Sequence, residues 1–218
     1  MSIRVARKRP DAYQHGDLRH ALIQAGLKLL SEKGVEGLSL RAAAELAGVS
    51  HAAPYRHFRD KNVLVAAIGE EGFRLLTKAM RDEIQAVGSA DLFARLRASG
   101  RGYVLFAVRN PGYFRTIFRG FACLEGGEPE ALTLRAAAQE ASSVLHELIE
   151  EGVRTGRFRS VDPVQLSLAC WSMMHGLGML LIDRQLPPFD EDETKIRELT
   201  ETVGLLLEAG INAAPTRK

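Results

Sequence analysis

The chain has 218 residues, and 46% of them are apolar, which is enough for a hydrophobic core and excludes a wholly disordered chain. Residues 1–60 carry ten Lys and Arg against six Asp and Glu, whereas the remaining residues carry 19 against 21. A basic first part is typical of a module that binds a polyanion. No apolar run reaches the roughly 18 residues of a membrane span, so no membrane partner is expected.

The N-terminus and the cysteines indicate a cytoplasmic protein. Met1–Pro10 contains four basic residues but no apolar segment after them, so it does not resemble a secretory signal. Cys123 and Cys170 lie in apolar surroundings and are too few for a disulfide framework. We therefore expect both to be reduced thiols in a protein of the cytoplasm.

Residues 1–16 are predicted to be a flexible basic arm. They form either a solvated tail or an arm that lies on DNA phosphates or enters a minor groove. The first helix is predicted to have Asp17 as its cap and to end near Lys33, before Gly34. Apolar residues recur along it at spacings of three and four: Leu18, Leu22, Ala25 and Leu29.

The next segment is predicted to form a helix-turn-helix. Ser39 is placed to cap a second helix over residues 40–47, and Gly48 suits the tight turn that follows. Ser50 is predicted to cap a third helix that ends at the apolar anchor Phe58. Since the second helix of such a motif reads DNA in the major groove, this third helix is the predicted reader.

Six further helices are predicted, which gives about nine in an all-α fold. The first of them runs from Asn62 to about Val87, with a flexible point at Gly69 and Gly72 because glycine is a poor helix former. A loop is predicted over residues 120–128. The later helices are predicted to start at Asp91, Pro111, Pro129, Asp162-Pro163 and the Asp190/Glu193 pair.

The run Tyr55-Arg56-His57-Phe58 followed by Asp60-Lys61, together with Ala47-Gly48-Val49-Ser50, resembles the DNA-binding domain of the tetracycline-repressor (TetR) family. The resemblance covers about residues 18–68. It implies DNA contacts from Ser39, Arg41, Ser50, His51, Ala52, Tyr55, Arg56, His57 and Lys61.

Within that set, Tyr55, His57 and Lys61 are implied to contact phosphates, whereas His51, Ala52 and Arg56 are candidates for base edges. His51 is alternatively a solvated residue and Arg56 alternatively a phosphate contact. The sequence departs from the family at Pro54, which lacks the N–H that would pair with the Ser50 carbonyl in an α-helix. The six-residue spacing of the two histidines does not fit a helical metal site, and no metal is expected.

A looser resemblance covers roughly residues 90–210, where Trp171, His175 and Gly176 match the Trp…His-Gly signature of one C-terminal domain type in this family. Ordinary core packing is the alternative for its aromatic residues. If a ligand pocket is present, its predicted lining is Tyr103, Phe106, Phe114, Phe118, Trp171, Met174, His175 and Met179.

The family dimerises through its last two long helices, and the apolar stripes at the end of this chain agree with that arrangement. The implied dimer interface comprises Leu166, Cys170, Met173, Leu177, Leu199, Val203 and Leu206. Stripes that serve only the core of one subunit are the alternative.

These observations predict a basic arm (residues 1–16), a DNA-binding domain (17–61), a regulatory and dimerisation domain (62–212) and a short tail (213–218). The expected function is a homodimeric transcriptional regulator, a repressor released from a near-palindromic DNA operator by a small apolar molecule. An activator and an effector-independent DNA-binding protein are the alternatives. No phosphate loop, serine nucleophile motif or metal cluster is found, so neither an enzyme nor a cofactor is expected.

Overall fold

The computed structural model describes residues 15–88, 91–119, 129–187, 189 and 192–212. These residues form eight α-helices and one 3₁₀ helix, and no β-strand occurs among them, which confirms the all-α fold. The helices are α1 (His15–Lys33), α2 (Leu40–Ala47), the 3₁₀ helix Pro54–Arg56, α3 (Lys61–Val87), α4 (Leu92–Arg109), α5 (Pro111–Arg119), α6 (Pro129–Arg154), α7 (Pro163–Ile182) and α8 (Glu193–Ile211). The predicted arm, except its last two residues, the loop 120–128 and the tail 213–218 lie outside the described residues.

The first two helices follow local sequence signals closely. Ser39 caps α2, because its side chain accepts a hydrogen bond from the Ala42 amide at 3.0 Å. Gly48 ends α2 in the left-handed conformation, with φ 71°. One expected cap is wrong: α1 starts at His15, so Asp17 lies inside the first turn rather than before it.

The predicted third helix is replaced by a turn and a 3₁₀ helix, here called the recognition segment (residues 50–58). The Ala53 amide donates to the Ser50 carbonyl at 3.0 Å, and Pro54 then begins a 3₁₀ helix of three residues. Ser50 therefore does not cap an α-helix. In an α-helix, the Ser50 carbonyl would accept a hydrogen bond from the backbone N–H of residue 54. Pro54 has no N–H, so the carbonyl accepts from Ala53 instead, which gives the tighter turn of a 3₁₀ helix.

Helix α3 joins the DNA-binding part to the rest of the chain. Asp60 caps it by accepting from the amides of Asn62 (2.8 Å) and Val63 (3.1 Å). The predicted flexible point at Gly69 and Gly72 is wrong, because α3 is continuous through both residues.

Close packing explains these two glycines. A Cβ atom on Gly69 would lie 2.9 Å from a methyl carbon of Leu134, and one on Gly72 would lie 2.5 Å from a methyl carbon of Ile117. Helices α6 and α5 therefore approach α3 so closely at these glycines that a larger residue would displace the neighbouring side chain.

The last two helices also begin at local caps. Asp162 caps α7 ahead of Pro163, as predicted, whereas α8 is capped by Asp192, whose side chain accepts from the amides of Thr194 and Lys195. Of the predicted pair, Glu193 is the first helical residue and Asp190 lies outside the described residues. The cap of α8 therefore differs from the sequence prediction.

Helix α7 is long and apolar enough, by length and composition alone, to cross a membrane, although the sequence predicted no such run. A core helix of a soluble protein can meet the same criteria. Here Leu166, Cys170, Met174 and Leu177 of α7 are buried inside the subunit. One face of α7 therefore belongs to the core and another is free.

A continuous apolar core runs from the DNA-binding helices through α3 into α4–α7. A second, smaller cluster forms at the other end, where Phe93 of α4 packs with Phe158 and Ile149. Because α3 contributes to the core over most of its length, the recognition segment rests on the same rigid body as the later helices.

Candidate DNA-binding surface and ligand cavity

The residues predicted to contact DNA lie on α2 and its cap, on the recognition segment and at the start of α3. Among the large apolar side chains here, Tyr55 is highly exposed, with 62% of its surface accessible, whereas Phe58 is buried. His57 and Lys61 are half-buried. The other members are exposed: Ser39, Arg41, Ser50, His51, Ala52 and Arg56.

Apolar and polar contacts hold this surface in place. The guanidinium of Arg19 lies over the Phe58 ring, 5.7 Å from its centre. The Lys61 ammonium donates to the Val35 carbonyl at 3.4 Å, which ties the start of α3 to the segment before α2. The backbone amide of Val63 lowers the pKa of Asp60, so this cap is ionised at neutral pH. Arg19 was missed from the sequence, because its aromatic neighbour is distant along the chain.

A polar cluster joins the DNA-binding part to α3 and α5. The Tyr113 hydroxyl of α5 donates to Glu71 of α3 at 2.5 Å, and Gln24 of α1 donates to the Tyr113 oxygen at 2.9 Å. Burial and the Glu71 carboxylate both raise the pKa of Tyr113, so it remains a neutral donor. A Cβ atom on Gly112 would lie 2.7 Å from the Ser31 hydroxyl, so α5 also packs tightly on α1.

A cavity of about 470 Å³ lies between α3, α4, α6 and α7, a volume typical of small-molecule sites. Four of the eight residues predicted to line a pocket border it: Tyr103, Phe118, Trp171 and Met174. The other four do not border it. Phe106 and Phe114 are buried in the core, His175 stacks on Phe114 at 5.2 Å, and Met179 packs against the same core.

Further lining residues were not predicted, because the sequence does not show which faces of α3 and α6 turn towards the cavity. They include Phe73, Leu76 and Met80 of α3, Arg97 and Ser99 of α4, and Ser142, Leu145 and His146 of α6. The lining is therefore apolar, with a few polar groups.

Trp171, Tyr103 and His175 form a hydrogen-bonded chain beside the cavity. The indole N–H of Trp171 donates to the Tyr103 oxygen at 2.9 Å, and the same oxygen lies 2.9 Å from Nδ1 of His175. Since the indole only donates, the Tyr103 hydroxyl is free to donate to an unprotonated Nδ1. Burial lowers the pKa of His175 and raises that of Tyr103, so both are neutral at neutral pH.

Arg97 borders the cavity but is already paired. Its Nε donates to Glu201 at 2.7 Å, and its Nη1 donates to Glu208. Both carboxylates belong to α8, and the Arg97 stem packs on Gly204, where a Cβ would lie 3.0 Å away. Arg97 therefore connects the cavity wall to α8 without carrying an uncompensated charge.

The same network continues to α3. Arg101 donates to Glu83 at 2.7 Å, and Arg197 of α8 donates to the second oxygen of Glu83 at 3.0 Å. Burial disfavours the charge of Glu83, but the hydrogen bonds from Arg101 and Arg197 outweigh it and lower its pKa. Helices α3, α4 and α8 are thus joined by charged groups of balanced sign.

The residues predicted to form a dimer interface divide into two groups. Leu166, Cys170 and Leu177 are buried inside the subunit, so their assignment to a free interface is wrong. Burial raises the pKa of the Cys170 thiol to about 11, as expected for a thiol in the core. Leu199 and Val203 are half-buried against the core, whereas Met173 and Leu206 are exposed.

The sequence prediction failed here because α7 is apolar nearly all round, and periodicity cannot say which stripe faces the core. The exposed apolar residues of α7 and α8 that the prediction missed are Val164, Leu168, Leu180 and Leu205. Together with Met173 and Leu206, these exposed apolar positions of α7 and α8 are here called the α7–α8 face, and two of them, Val164 and Leu168, also border the cavity.

Both halves of the sequence match the same family. Residues 22–68 match the family described as bacterial regulatory proteins, tetR family, and residues 96–203 match the tetracyclin repressor-like C-terminal domain. The chain belongs to the TetR family. TetR proteins are DNA-binding transcriptional regulators and generally not enzymes.

Solved structures share the fold over most of their length. A protein of unknown function from Rhodococcus sp. RHA1 is 27% identical, with 93% of this chain and 99% of that chain covered at a TM-score of 0.75. PfmR from Thermus thermophilus, a TetR family regulator, is 23% identical, with 86% of this chain and 97% of that chain covered at a TM-score of 0.68. AibR, solved with isovaleryl coenzyme A and operator DNA, is 22% identical, with 87% of this chain and 98% of that chain covered at a TM-score of 0.69.

Proposed function

We propose that this TetR protein is a cytoplasmic homodimeric repressor that a small apolar molecule releases from a near-palindromic operator. The proposal rests on the contacts of α5, which reaches both the DNA-binding part and the cavity. Tyr113 of α5 bonds to Gln24 of the DNA-binding part, and Phe118, less than two turns later, borders the cavity. A ligand that moves Phe118 can therefore alter how the DNA-binding helices are held.

On DNA, Tyr55, His57 and Lys61 contact phosphates, with Ser39 and Arg41 beside them at the start of α2. Cationic members of this set release counterions and make binding dependent on salt. The first turn of the recognition segment, with His51 and Ala52, faces base edges together with Arg56. Because Pro54 shortens the helix, fewer side chains reach the groove than in a longer reading helix.

Two copies joined through the α7–α8 face place two recognition segments in successive major grooves, about one helical turn apart. Large apolar side chains exposed on neighbouring helices are typical of a protein interface. The same surface accounts for the free side of α7 without a membrane. The near-palindromic operator then follows from the two-fold symmetry of the dimer.

Release requires that the ligand bind more tightly to a dimer whose two recognition segments are not spaced to enter successive major grooves. Moving the equilibrium almost completely takes about 5 kcal/mol of preference between the two states. Burial of about 200 Å² of apolar ligand surface in one state only supplies that amount, at about 25 cal/mol per Å². The apolar lining of the cavity fits such a ligand.

The structure of AibR with isovaleryl coenzyme A supports the class of ligand, because its apolar acyl group would fit a cavity of this kind. For this chain we propose an amphipathic effector whose hydrocarbon part lies between α3, α4 and α7. We place the mouth of the cavity at Ser142 of α6, which borders the cavity and is exposed. A larger polar part would leave the protein there.

Selection of bound fragments from a random DNA pool tests the proposal. We expect a near-palindromic site whose binding weakens when an apolar ligand that quenches Trp171 fluorescence is added. Binding without sequence preference would instead indicate an architectural DNA-binding protein. Binding that the ligand strengthens would indicate an activator or a co-repressed regulator.

A further inference from the structure

Ser99 is the polar residue of the cavity wall whose hydroxyl is unused. Thr77, Ser99 and Thr200 are the buried polar residues of the described chain. Thr77 donates to the Phe73 carbonyl at 2.9 Å and Thr200 donates to the Ile196 carbonyl at 2.7 Å. Ser99 is 2% exposed, its side chain makes no hydrogen bond to a described residue, and its hydroxyl keeps some contact with the space of the cavity.

The position of Ser99 on α4 directs it to the cavity. Leu96 and Tyr103 lie one helical turn before and after Ser99 on the same face of α4, and both border the cavity, as Ser99 itself does. A serine inside a helix usually bonds to the carbonyl four residues earlier or reaches water. A hydroxyl that faces a cavity without a protein partner favours a ligand that accepts a hydrogen bond from it.

The other polar side chains of the lining already have partners. Ser142 donates to the Gln139 carbonyl at 2.9 Å, and His146 shares a hydrogen bond with Ser167 at 3.1 Å. Trp171 and Tyr103 bond to each other, and Arg97 is paired with two glutamates. Apart from the weakly bonding thiol of Cys170, Ser99 is left as the free polar point among the described lining residues.

We propose that Ser99 is the anchor for a neutral hydrogen-bond acceptor on the effector, a carbonyl such as that of a ketone, an ester or an acyl thioester. The Ser99 hydroxyl donates to the carbonyl oxygen, and the hydrocarbon chain lies on Phe73, Met80 and Met174. A carboxylate fits less well, because Arg97 is already neutralised by Glu201 and Glu208 and a bare anion in an apolar cavity is costly. This inference rests on the cavity being the effector site.

The test compares methyl octyl ketone with its isostere in which a methylene group replaces the carbonyl oxygen. Trp171, the single tryptophan of the chain, borders the cavity and reports binding by fluorescence in the full-length protein. The ratio of the two affinities is compared between the wild-type protein and Ser99→Ala, so the different hydration of the two probes cancels. Ser142→Ala is the matched control, because its hydroxyl borders the cavity but bonds to its own helix.

We expect Ser99→Ala to lower the ketone-to-isostere ratio by about five- to tenfold, mainly through weaker ketone binding. Ser142→Ala should leave the ratio unchanged, and nonanoate should bind the wild-type protein more weakly than the ketone. An unchanged ratio in Ser99→Ala, with both probes still bound, overturns the anchor but leaves the effector site intact. Tighter binding of nonanoate overturns the neutral class of ligand. If no probe perturbs Trp171 in any variant, both the anchor and the proposed effector site are wrong.

Discussion

Tyr55 reaches far out of the fold, which makes it the sharpest single test of the DNA-binding surface. Tyr55→Ala should weaken operator binding by about tenfold, since one phosphate hydrogen bond and its packing are lost. Its salt dependence should stay unchanged, because tyrosine carries no charge. Arg41→Ala is the comparison, and should lower the slope of log affinity against log salt by about 0.9. Fluorescence anisotropy at several salt concentrations measures both, and wild-type affinity in Tyr55→Ala would contradict the assignment.

His175 should make the folded protein less stable in mild acid. Burial lowers its pKa below the ordinary 6.5, so the unfolded chain binds this proton more readily than the folded chain. Stability from this group is therefore complete above about pH 6.5 and declines as the pH falls towards the lowered pKa. His175→Gln, which can still accept from Tyr103, should reduce the loss.

Urea midpoints at about pH 7.5 and pH 5.5 measure this effect. The exposed histidine variant His51→Gln controls for the removal of one imidazole, and should keep the wild-type difference between the two midpoints. An equal loss of stability in wild type and His175→Gln would show that other groups cause the acid sensitivity.

Single residues were predictable from sequence where their chemistry is local. The caps Ser39, Asp91 and Asp162 each satisfy amides two or three positions away, so a short window of sequence contains the whole interaction. The cavity wall is different, since Phe106 and Phe118 are both apolar aromatic residues on neighbouring helices. Only the packing of those helices decides that Phe118 borders the cavity and Phe106 does not.

At the scale of elements, the crossing of α3 and α4 depends on Gly102. A Cβ atom there would lie 2.5 Å from the Ala79 carbonyl oxygen and 2.6 Å from the Met80 Cα. Both are backbone atoms, which cannot rotate away, so the helices must separate. Gly102→Ala should therefore lower the free energy of unfolding by about 1–3 kcal/mol, despite the better helix propensity of alanine.

Gly210→Ala is the matched control, since no described atom lies within 4 Å of a Cβ placed there in α8. It should be neutral or slightly stabilising. Denaturant unfolding of both variants measures the difference, and equal stability of the two would contradict the close crossing of α3 and α4.

Helix α5 should carry the signal from the cavity to the DNA-binding part. Tyr113→Phe removes the hydroxyl that bonds to both Glu71 and Gln24 but keeps the ring in the core, and the direct bond from Gln24 to Glu71 remains. We expect unchanged ligand affinity and a smaller ligand-induced loss of operator affinity, by about threefold or more, because a hydrogen bond of this kind contributes about 1 kcal/mol.

Thr116→Val provides the control for this coupling. It removes a hydroxyl from the same helix, but that hydroxyl bonds to the Gly112 carbonyl of α5 itself. Operator binding with and without ligand should match the wild-type protein. If Tyr113→Phe behaves in the same way, the cluster holds the domains together without transmitting the signal.

The recognition segment shows how far element prediction reaches. The turn before it and its last residue were predictable, since Gly48 takes a positive φ and Phe58 is a buried anchor. Its interior was not, because the loss of one donor at Pro54 changes which carbonyl each amide reaches. A 3₁₀ helix replaces the α-helix because the Ser50 carbonyl accepts from the N–H of Ala53, since residue 54 is a proline and has no N–H to donate.

At the scale of the whole molecule, charged pairs add to the apolar contacts that hold α8 on the subunit core. Helix α8 packs only lightly on α7, but Arg97 and Arg101 of α4 bind its Glu201. Arg197 of α8 in turn donates a hydrogen bond to Glu83 of α3. Sequence alone could not pair these groups, since the partners on α4 and α8 are far apart along the chain. A ligand that shifts α4 would therefore shift α8, and with it the α7–α8 face.

That face gives the last prediction, the disruption of the proposed dimer. Leu206 is 68% exposed in the subunit, so Leu206→Glu should hardly change the stability of one folded chain. Placed against a partner, the new carboxylate would be buried without a cation, which costs several kcal/mol and is repeated on the symmetric copy. Sedimentation should show monomers, and operator affinity should fall by at least about a hundredfold, because a single recognition segment holds few phosphates.

Leu132→Glu is the matched control, a leucine of α6 that is 55% exposed and lies outside the α7–α8 face. It should remain dimeric and keep its operator affinity. A dimeric Leu206→Glu would place the interface elsewhere on the subunit and would leave the exposed leucines of α7 and α8 to be explained by another partner. The buried Leu177, by contrast, cannot separate these cases, because its loss would first create a cavity in the subunit core.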